Sequence, residues 1–280
     1  MNTKLIIGIH GLNNKPEPDT LRDWWMAAIA EGISRNCIGQ RADFDFVLAY
    51  WADVLYSAPV APAEQKEPYI AAGGSGSLPR AGSSIRTIAA ALIREGVGKV
   101  LEVVSGAAVT EKVKTSAPDL RRYKDDRATR DTVRERLSER LRAACAGDRQ
   151  IMLIAHSMGS IIAYDVLRDA GRTLPGVRIS HFVTVGSPLG LAAVKEIGVA
   201  PLRVPECVAR WSNFADPKDR VARWDTRLSS DYRENSAGVV VTDHFVINGY
   251  VSPSGKSNPH KIYGYLRTPE ISELIVGFAR

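Results

Sequence analysis

Residues 151–171, with the sequence IMLIAHSMGSIIAYDVLRDAG, form the stretch around which the rest of the chain is interpreted. It opens with five apolar residues, Ile151 to Ala155, which is the pattern of a short buried strand. After Gly159, apolar side chains recur at helical spacing as far as Gly171, a typical helix terminator. The stretch therefore predicts a strand, an abrupt turn at Ser157 and a helix that ends at Gly171.

The residues two positions before and after Ser157 are small. Ala155 and Gly159 fit a turn at which strand and helix crowd together and the serine hydroxyl is exposed, the arrangement called a nucleophile elbow. Glycine usually occupies both positions, so Ala155 departs from the pattern. The alternative is an ordinary strand-to-helix turn in which the serine occurs by chance. The rest of the sequence is needed to distinguish this turn from a nucleophile elbow.

Strand and helix patterns alternate along most of the chain. Strands are predicted at residues 5–9, 44–51, 178–185, 207–214 and 239–247, and helices at 19–36, at 129–146 and from Pro269 onwards. This alternation predicts an α/β fold with a mostly parallel central sheet and helices on both faces. Asp19 or Thr20 is the predicted cap of the first helix.

Residues 55–127 interrupt this alternation. Their first part is rich in Pro, Gly, Ala and Ser, including residues 73–77, which indicates a flexible segment. A helical apolar pattern follows at residues 85–104. We interpret residues 1–280 as a single α/β domain with 55–127 as an inserted helical cap; permanent packing of that helix in the core is the alternative.

A serine nucleophile needs a base and an acid that orients the base. Of the five histidines, His260 follows a C-terminal strand in a loop and is the predicted base, with His244 as the runner-up. For the acid, we prefer Asp219 to Asp216, because Asp216 has an alternative role in capping the turn at Pro217.

The other histidines are assigned elsewhere. His10 belongs to the turn after the first strand, His181 lies within a strand, and His156 is expected to point away from its neighbour Ser157. The sequence His10-Gly11-Leu12 permits a sharp turn, so that the amide of Leu12 faces the site. The amide of Met158, at the start of a helix, is the second predicted donor to an oxyanion.

Several stretches together carry a resemblance to a known family. They are IIGIHGL at 6–12, LIAHSMGS at 153–160, VGSPL at 185–189, WSNFADPKDRVA at 211–222 and NPHKIYGYL at 258–266. The chain resembles α/β-hydrolase-fold serine esterases, and within them the lipase-like group that includes triacylglycerol lipases and GPI-inositol-deacylase-like proteins. The resemblance implies a catalytic triad of Ser157, Asp219 and His260, with oxyanion amides from Leu12 and Met158.

The expected activity is hydrolysis of carboxylic esters, either small molecules or lipids, through an acyl-enzyme on Ser157. A thioesterase, an amidase or a peptidase would use the same residues, and a binding protein could keep the fold without the chemistry. No metal-ligand motif and no dinucleotide-binding motif is present, so neither a metal nor a cofactor is expected.

Composition excludes some further classes. The chain of 280 residues is 45% hydrophobic and carries a formal net charge of +6, without the basic and aromatic pattern of nucleic-acid binding. Three widely spaced cysteines, and no signal or membrane-length apolar segment, favour a cytoplasmic location. Peripheral contact with a membrane and the oligomeric state are left open.

Overall fold

The computed structural model describes residues 3–73, 77–80, 118–195, 202–222 and 227–280. Within these ranges, six parallel strands form one sheet in the order β2-β1-β3-β4-β5-β6. The strands are β1 (Lys4–Ile9), β2 (Asp45–Ala49), β3 (Gln150–His156), β4 (His181–Val185), β5 (Trp211–Ala215) and β6 (Val241–Phe245). The predicted α/β class with a parallel sheet is therefore confirmed, and several strands are shorter than their apolar patterns.

Helices cover both faces of the sheet. The helices of the described ranges are α1 (Pro18–Asn36), α2 (Pro118–Asp125), α3 (Arg127–Ala146), α4 (Met158–Arg168), α5 (Ala170–Thr173), α6 (Ala192–Lys195), α7 (Ile262–Leu266) and α8 (Pro269–Ala279). Each of these helices is too short or too polar to span a bilayer. Short 3-10 turns lie at Ala52–Val54, Pro62–Glu64 and Leu228–Ser230.

Successive residues of a strand face opposite sides of the sheet, and here both sides are buried. Leu5 and Ile7 of β1 pack into the core that contains Leu137 of α3. Ile6, between them, packs into the second core with Trp25 of α1. Because both faces are covered, the strand sequence is continuously apolar instead of alternating.

Two helix ends differ from their predictions. The first helix begins at Pro18 and has Glu17 at its N-cap position, so the prediction that Asp19 or Thr20 caps it is wrong. Proline is favoured at the first helical position because its missing N–H would have no helical partner there. The helix after Ser157 ends at Arg168, and Gly171 lies inside the short helix α5 instead of terminating α4.

A buried carboxylate ties the helix after Ser157 to its neighbours. Asp165 of α4 accepts hydrogen bonds from the hydroxyl of Tyr123 (2.8 Å) and from Nε of Arg130 (2.9 Å). Arg168 donates to its other oxygen at 3.2 Å. These bonds fix α4 against α2 and α3, and α4 starts directly after the turn that holds Ser157.

The described parts of residues 55–127 contain no strand of the sheet. Around residues 67–73 they run along α1 and the C-terminal helices. The hydroxyl of Tyr69 donates to Glu31 (3.1 Å), the hydroxyl of Tyr250 donates to the Pro68 carbonyl (2.7 Å), and Arg267 donates to the Ile70 carbonyl (2.9 Å). The predicted helix at 85–104 lies outside the described residues, as do residues 74–76 of the Gly/Ser run, so the helical cap stays a prediction.

Candidate active site

Ser157 lies at the tip of the turn between β3 and α4. Its backbone angles, φ 53° and ψ −128°, belong to a region that L-residues rarely adopt and that costs about 1–3 kcal/mol. The Ser157 amide donates to the Val185 carbonyl at 3.2 Å, which fixes the turn against β4. A Cβ on Gly159 would lie 2.6 Å from the carbonyl oxygens of Ile9 and His10, so only glycine fits there. The strained turn predicted around Ser157 is thus present, and Ala155 is fully buried in the sheet.

Ser157, His260 and Asp219 form a continuous hydrogen-bonded chain. Nε2 of His260 lies 2.9 Å from Oγ of Ser157, and its Nδ1 lies 2.8 Å from Oδ2 of Asp219. Because a carboxylate only accepts hydrogen bonds, Nδ1 carries the proton and Nε2 presents its lone pair to the serine hydroxyl. The structure therefore brings together the three residues that the sequence singled out as nucleophile, base and acid.

Asp219 is fully buried after β5 and is held by several donors. The hydroxyl of Tyr265 donates to Oδ2 at 2.7 Å, and the amides of Val221 and Ala222 donate to Oδ1 at 2.8 and 3.4 Å. Burial, and then the charge of Asp219, raises the pKa of Tyr265 well above its ordinary value, so its hydroxyl stays protonated. These bonds leave Asp219 oriented toward His260.

Gly186, at the end of β4, leaves the space in which the acid and base meet. Its φ is 55°, and a Cβ at this position would lie 2.9 Å from Oδ2 of Asp219 and 3.1 Å from Nδ1 of His260. Any larger residue would separate the pair. No local pattern in the sequence indicated this role of Gly186 or the role of Tyr265.

The two runner-up residues have structural roles. Asp216 accepts hydrogen bonds from the amides of Lys218 (2.7 Å) and Asn248 (2.6 Å), so it caps the turn after β5, the role foreseen as its alternative. Burial raises the pKa of the Asp216 carboxyl. His244 of β6 stacks on Phe214 with ring centres 4.6 Å apart, and burial lowers its pKa. In the described ranges, neither Asp216 nor His244 bonds to Ser157 or His260.

Leu12 and Met158 occupy positions suited to donate to an oxyanion. Met158 is the first residue of α4, so its amide belongs to the first turn, whose N–H groups have no helical acceptor. Leu12 follows Gly11, at which a Cβ would lie 2.7 Å from Cβ and 3.2 Å from Oγ of Ser157. Glycine at position 11 therefore lets the loop after β1 approach the serine closely.

Residues distant in sequence hold this loop. Asn13 has a positive φ of 70°, and its amide donates to Oδ2 of Asp119 at 2.7 Å. The hydroxyl of Tyr56 donates to the other oxygen of Asp119 at 2.7 Å. Asp119 is buried in α2. Sequence reasoning missed Asp119 and Tyr56, because no local pattern connects residues so far apart.

Two buried histidines next to the site are neutral. Burial lowers the pKa of His10 and of His156 well below the ordinary value. His10 accepts from the Trp51 amide at 3.1 Å, and its Nδ1 donates to the Gly11 carbonyl at 2.9 Å. These bonds fasten the start of the loop that carries Leu12.

His156 supports the candidate base. Its Nε2 donates to the carbonyl oxygen of His260 at 2.8 Å, and the two ring centres are 4.9 Å apart. His156 also lines the same cavity as Ser157. The expectation that this side chain points away from Ser157 is wrong, because the tight turn after β3 leaves both side chains on the site.

Ser157 opens into a cavity of about 500 Å³. Trp25 and Tyr263 contribute apolar surface to its wall, and residues 64–67 contribute polar surface. The described part of the segment 55–127 therefore borders the space in front of the serine. A cavity of this size is within the range of small-molecule sites.

In the ranges that the structure describes, no three His, Cys, Asp or Glu side chains are grouped so that they could hold a metal ion. No protein-family model matches the chain, and no curated protein matches it.

Proposed function

We propose that this protein is a serine hydrolase with an α/β-hydrolase-like fold, and that it cleaves carboxylic esters through an acyl-enzyme on Ser157. The observation that carries this proposal is the hydrogen-bonded chain from Oγ of Ser157 through His260 to Asp219. The strained backbone of Ser157 supports it further, because such strain persists where the surrounding structure holds a residue for function.

The first half of the reaction acylates the serine. Nε2 of His260 takes the proton of the Ser157 hydroxyl while Oγ bonds to the ester carbonyl carbon, and the carbonyl oxygen becomes an oxyanion. The amides of Leu12 and Met158 stabilise that oxyanion. His260 then gives its proton to the leaving alcohol as the carbon–oxygen bond breaks, which leaves the acyl group on Ser157.

The second half releases the acid. A water molecule loses its proton to Nε2 of His260 and attacks the acyl carbon, and the bond to Oγ breaks as His260 returns the proton to Ser157. Asp219 stabilises the protonated imidazole in both halves and keeps Nδ1 as the donor, so that Nε2 always faces the serine. Asp219 is fully buried, which strengthens this electrostatic effect because water does not screen it.

Covalent labelling tests the nucleophile. A fluorophosphonate probe should add once to the native protein, and peptide mapping should place the adduct on Ser157. Ser157→Ala should abolish labelling and lower ester hydrolysis by about 10³- to 10⁶-fold with an unchanged melting temperature. Ser34→Ala, on the exposed surface of α1, is the matched control and should label like the native protein. An adduct on another serine, or none, would contradict the proposal.

A matched substrate series tests the reaction class. One acyl group presented as a 4-nitrophenyl ester, a thioester and a 4-nitroanilide separates an esterase from a thioesterase and an amidase. We expect the highest kcat/KM with the ester. A clear preference for the thioester or the anilide would move the assignment to that class while leaving Ser157 as the nucleophile.

A further inference from the structure

Three lysines line the cavity into which Ser157 opens, Lys15, Lys66 and Lys261. Lys66 is exposed, whereas Lys15 and Lys261 are half-buried. Lys15 belongs to the loop after β1 that carries Leu12, and Lys261 directly follows His260. The two side chains therefore reach the cavity from the two loops that hold the proposed oxyanion donor and the proposed base. A neutral acyl chain would offer neither of these two ammonium groups a negative charge to pair with.

Lys15 has no ion-pair partner in the part of the chain that the structure describes. Its ammonium group donates to the carbonyl oxygen of Leu12 and, at 2.8 Å, to that of Asn13. An ammonium has three N–H donors, so one remains for a bound molecule. Burial lowers the pKa of Lys15 to about 7; repulsion by Lys261 contributes to this and attraction by Asp119 opposes it.

Lys261 has one weak ion pair. Its Nζ lies 3.5 Å from Oε2 of Glu67 and 5.5 Å from the centre of the Tyr263 ring. Glu67 is shared, since both of its oxygens also accept from the side-chain amide of Asn258, at 2.8 and 2.9 Å. Burial lowers the pKa of Lys261, against the attraction of Glu67. The carboxylate of Glu67 therefore compensates the charge of Lys261 only in part.

The electrostatic state of the cavity follows from these contacts. Lys15 and Lys261 line the same cavity, and both are partly withdrawn from water. The charge of Lys261 lowers the pKa of Lys15. Glu64 also lines the cavity but is exposed, so water screens its charge. Two like charges held in this way cost free energy unless a bound anion compensates them. Titratable groups with shifted pKa values that line a cavity are typical of a functional site.

We propose that the cavity binds an ester that carries an anionic group, a carboxylate or a phosphate, which pairs with the ammonium groups of Lys15 and Lys261. This inference rests on the proposed function of Ser157, because it names the substrate class of that site. Charge-assisted hydrogen bonds to two ammonium groups would orient the substrate, and the ester carbonyl would then lie toward Leu12 and Met158.

Paired substrates test the inference. Mono(4-nitrophenyl) glutarate and 4-nitrophenyl valerate differ in a terminal carboxylate on the acyl side, and 4-acetoxybenzoate and its methyl ester differ in a carboxylate on the alcohol side. We expect kcat/KM to be at least about tenfold higher for the anionic member of one pair. Inhibition by inorganic phosphate, compared with glutarate, distinguishes the two kinds of anion.

Substitution of Lys261 measures its part in that preference. Lys261→Met should lower the ratio of kcat/KM between the anionic and neutral members by about tenfold, and Lys261→Arg should restore much of it. A general loss of activity lowers both kcat/KM values and leaves their ratio unchanged. Lys124 of α2 is exposed and does not line the cavity. Lys124→Met removes the same charge and is the control.

A binding measurement separates this inference from the proposed function. Calorimetry with the Ser157→Ala protein should show tighter binding of mono(4-nitrophenyl) glutarate than of the valerate, and Lys261→Met should weaken it. Such binding would support the anion site even if fluorophosphonate labelling failed. Equal kcat/KM within both pairs, or equal binding of charged and neutral esters, would overturn the anion site and leave the hydrolase proposal standing.

Discussion

Replacing Asp219 with asparagine should disable the proposed base while preserving the shape of the site. The carboxylate accepts from His260 (2.8 Å) and Tyr265 (2.7 Å) on Oδ2 and from the Val221 amide (2.8 Å) on Oδ1. Asparagine has one oxygen, so its NH₂ group must face one of these sets of donors. If it faces His260, the imidazole can bond to it only by accepting at Nδ1, and the proton then moves to Nε2.

That tautomer leaves the Ser157 hydroxyl without an acceptor for its proton. In serine proteases with this triad, the equivalent change lowers kcat by about 10⁴-fold, and we expect a loss on the order of 10³- to 10⁴-fold here. If the NH₂ group instead faces Val221, two donors oppose each other. Either orientation leaves a buried polar group unsatisfied, which costs about 1–3 kcal/mol of stability.

Asp216→Asn is the matched control for this prediction. Asp216 accepts from the amides of Lys218 and Asn248 and makes no contact with His260 in the described structure. The Asp216→Asn protein should lose about as much stability as the Asp219→Asn protein. Its kcat/KM should fall by less than about tenfold. Hydrolysis of a 4-nitrophenyl ester, the rate of fluorophosphonate labelling and urea unfolding measure these effects. Equal losses of activity in the two variants, or an Asp219→Asn protein within tenfold of native, would refute the reasoning.

Three further predictions address the loop, the helix layer and acid stability. Gly11→Ala should lower kcat by about 10²- to 10³-fold, the cost of losing an oxyanion donor. The reason is that the added Cβ would displace the loop from Ser157. An unchanged kcat would contradict the placement of Leu12. Asp165→Ala should cost about 3 kcal/mol in urea unfolding, since Arg130 and Arg168 lose their carboxylate; a loss below about 1 kcal/mol would contradict this role. Burial lowers the pKa of His181 from 6.5 to about 4, so the unfolded chain binds a proton in this range that the folded protein does not, and stability falls as the pH drops from 6.5 to 4. His181→Gln should reduce the pH dependence of the free energy of unfolding by up to about 1.4 kcal/mol per pH unit. An unchanged slope between pH 4 and 6.5 would contradict this role of His181.

The sequence predicted those features that depend on local pattern. Apolar and β-branched patterns located all six described strands. The patterns of β1 and β3 are nearly continuous, because both faces of the sheet are covered there. The small residues Ala155 and Gly159 located the turn at Ser157. Positions in loops after strands indicated His260 and Asp219. These predictions needed only neighbouring residues and the rule that the carboxyl ends of parallel strands lie at the same edge of the sheet.

Other parts of the site depend on contacts between residues far apart in the chain. Asp119 bonds to Asn13, which precedes it by 106 residues, and His156 bonds to the carbonyl of His260, 104 residues later. No periodicity or motif records such pairs, because their positions are set by how α2 and the last loop pack on the sheet. The helix ends were missed for a local reason, since Pro18 starts α1 without a side-chain cap.

The strand order also determines when the site is completed during synthesis. The chain makes β1, β2 and β3 first, and then β4, β5 and β6 are each added to the free edge of the growing sheet in the order of translation. Ser157 follows β3, whereas Asp219 follows β5 and His260 follows β6. A ribosome-bound chain therefore carries Ser157 long before the proposed base, so we expect the nascent protein to be chemically inert until the segment with His260 has left the ribosome.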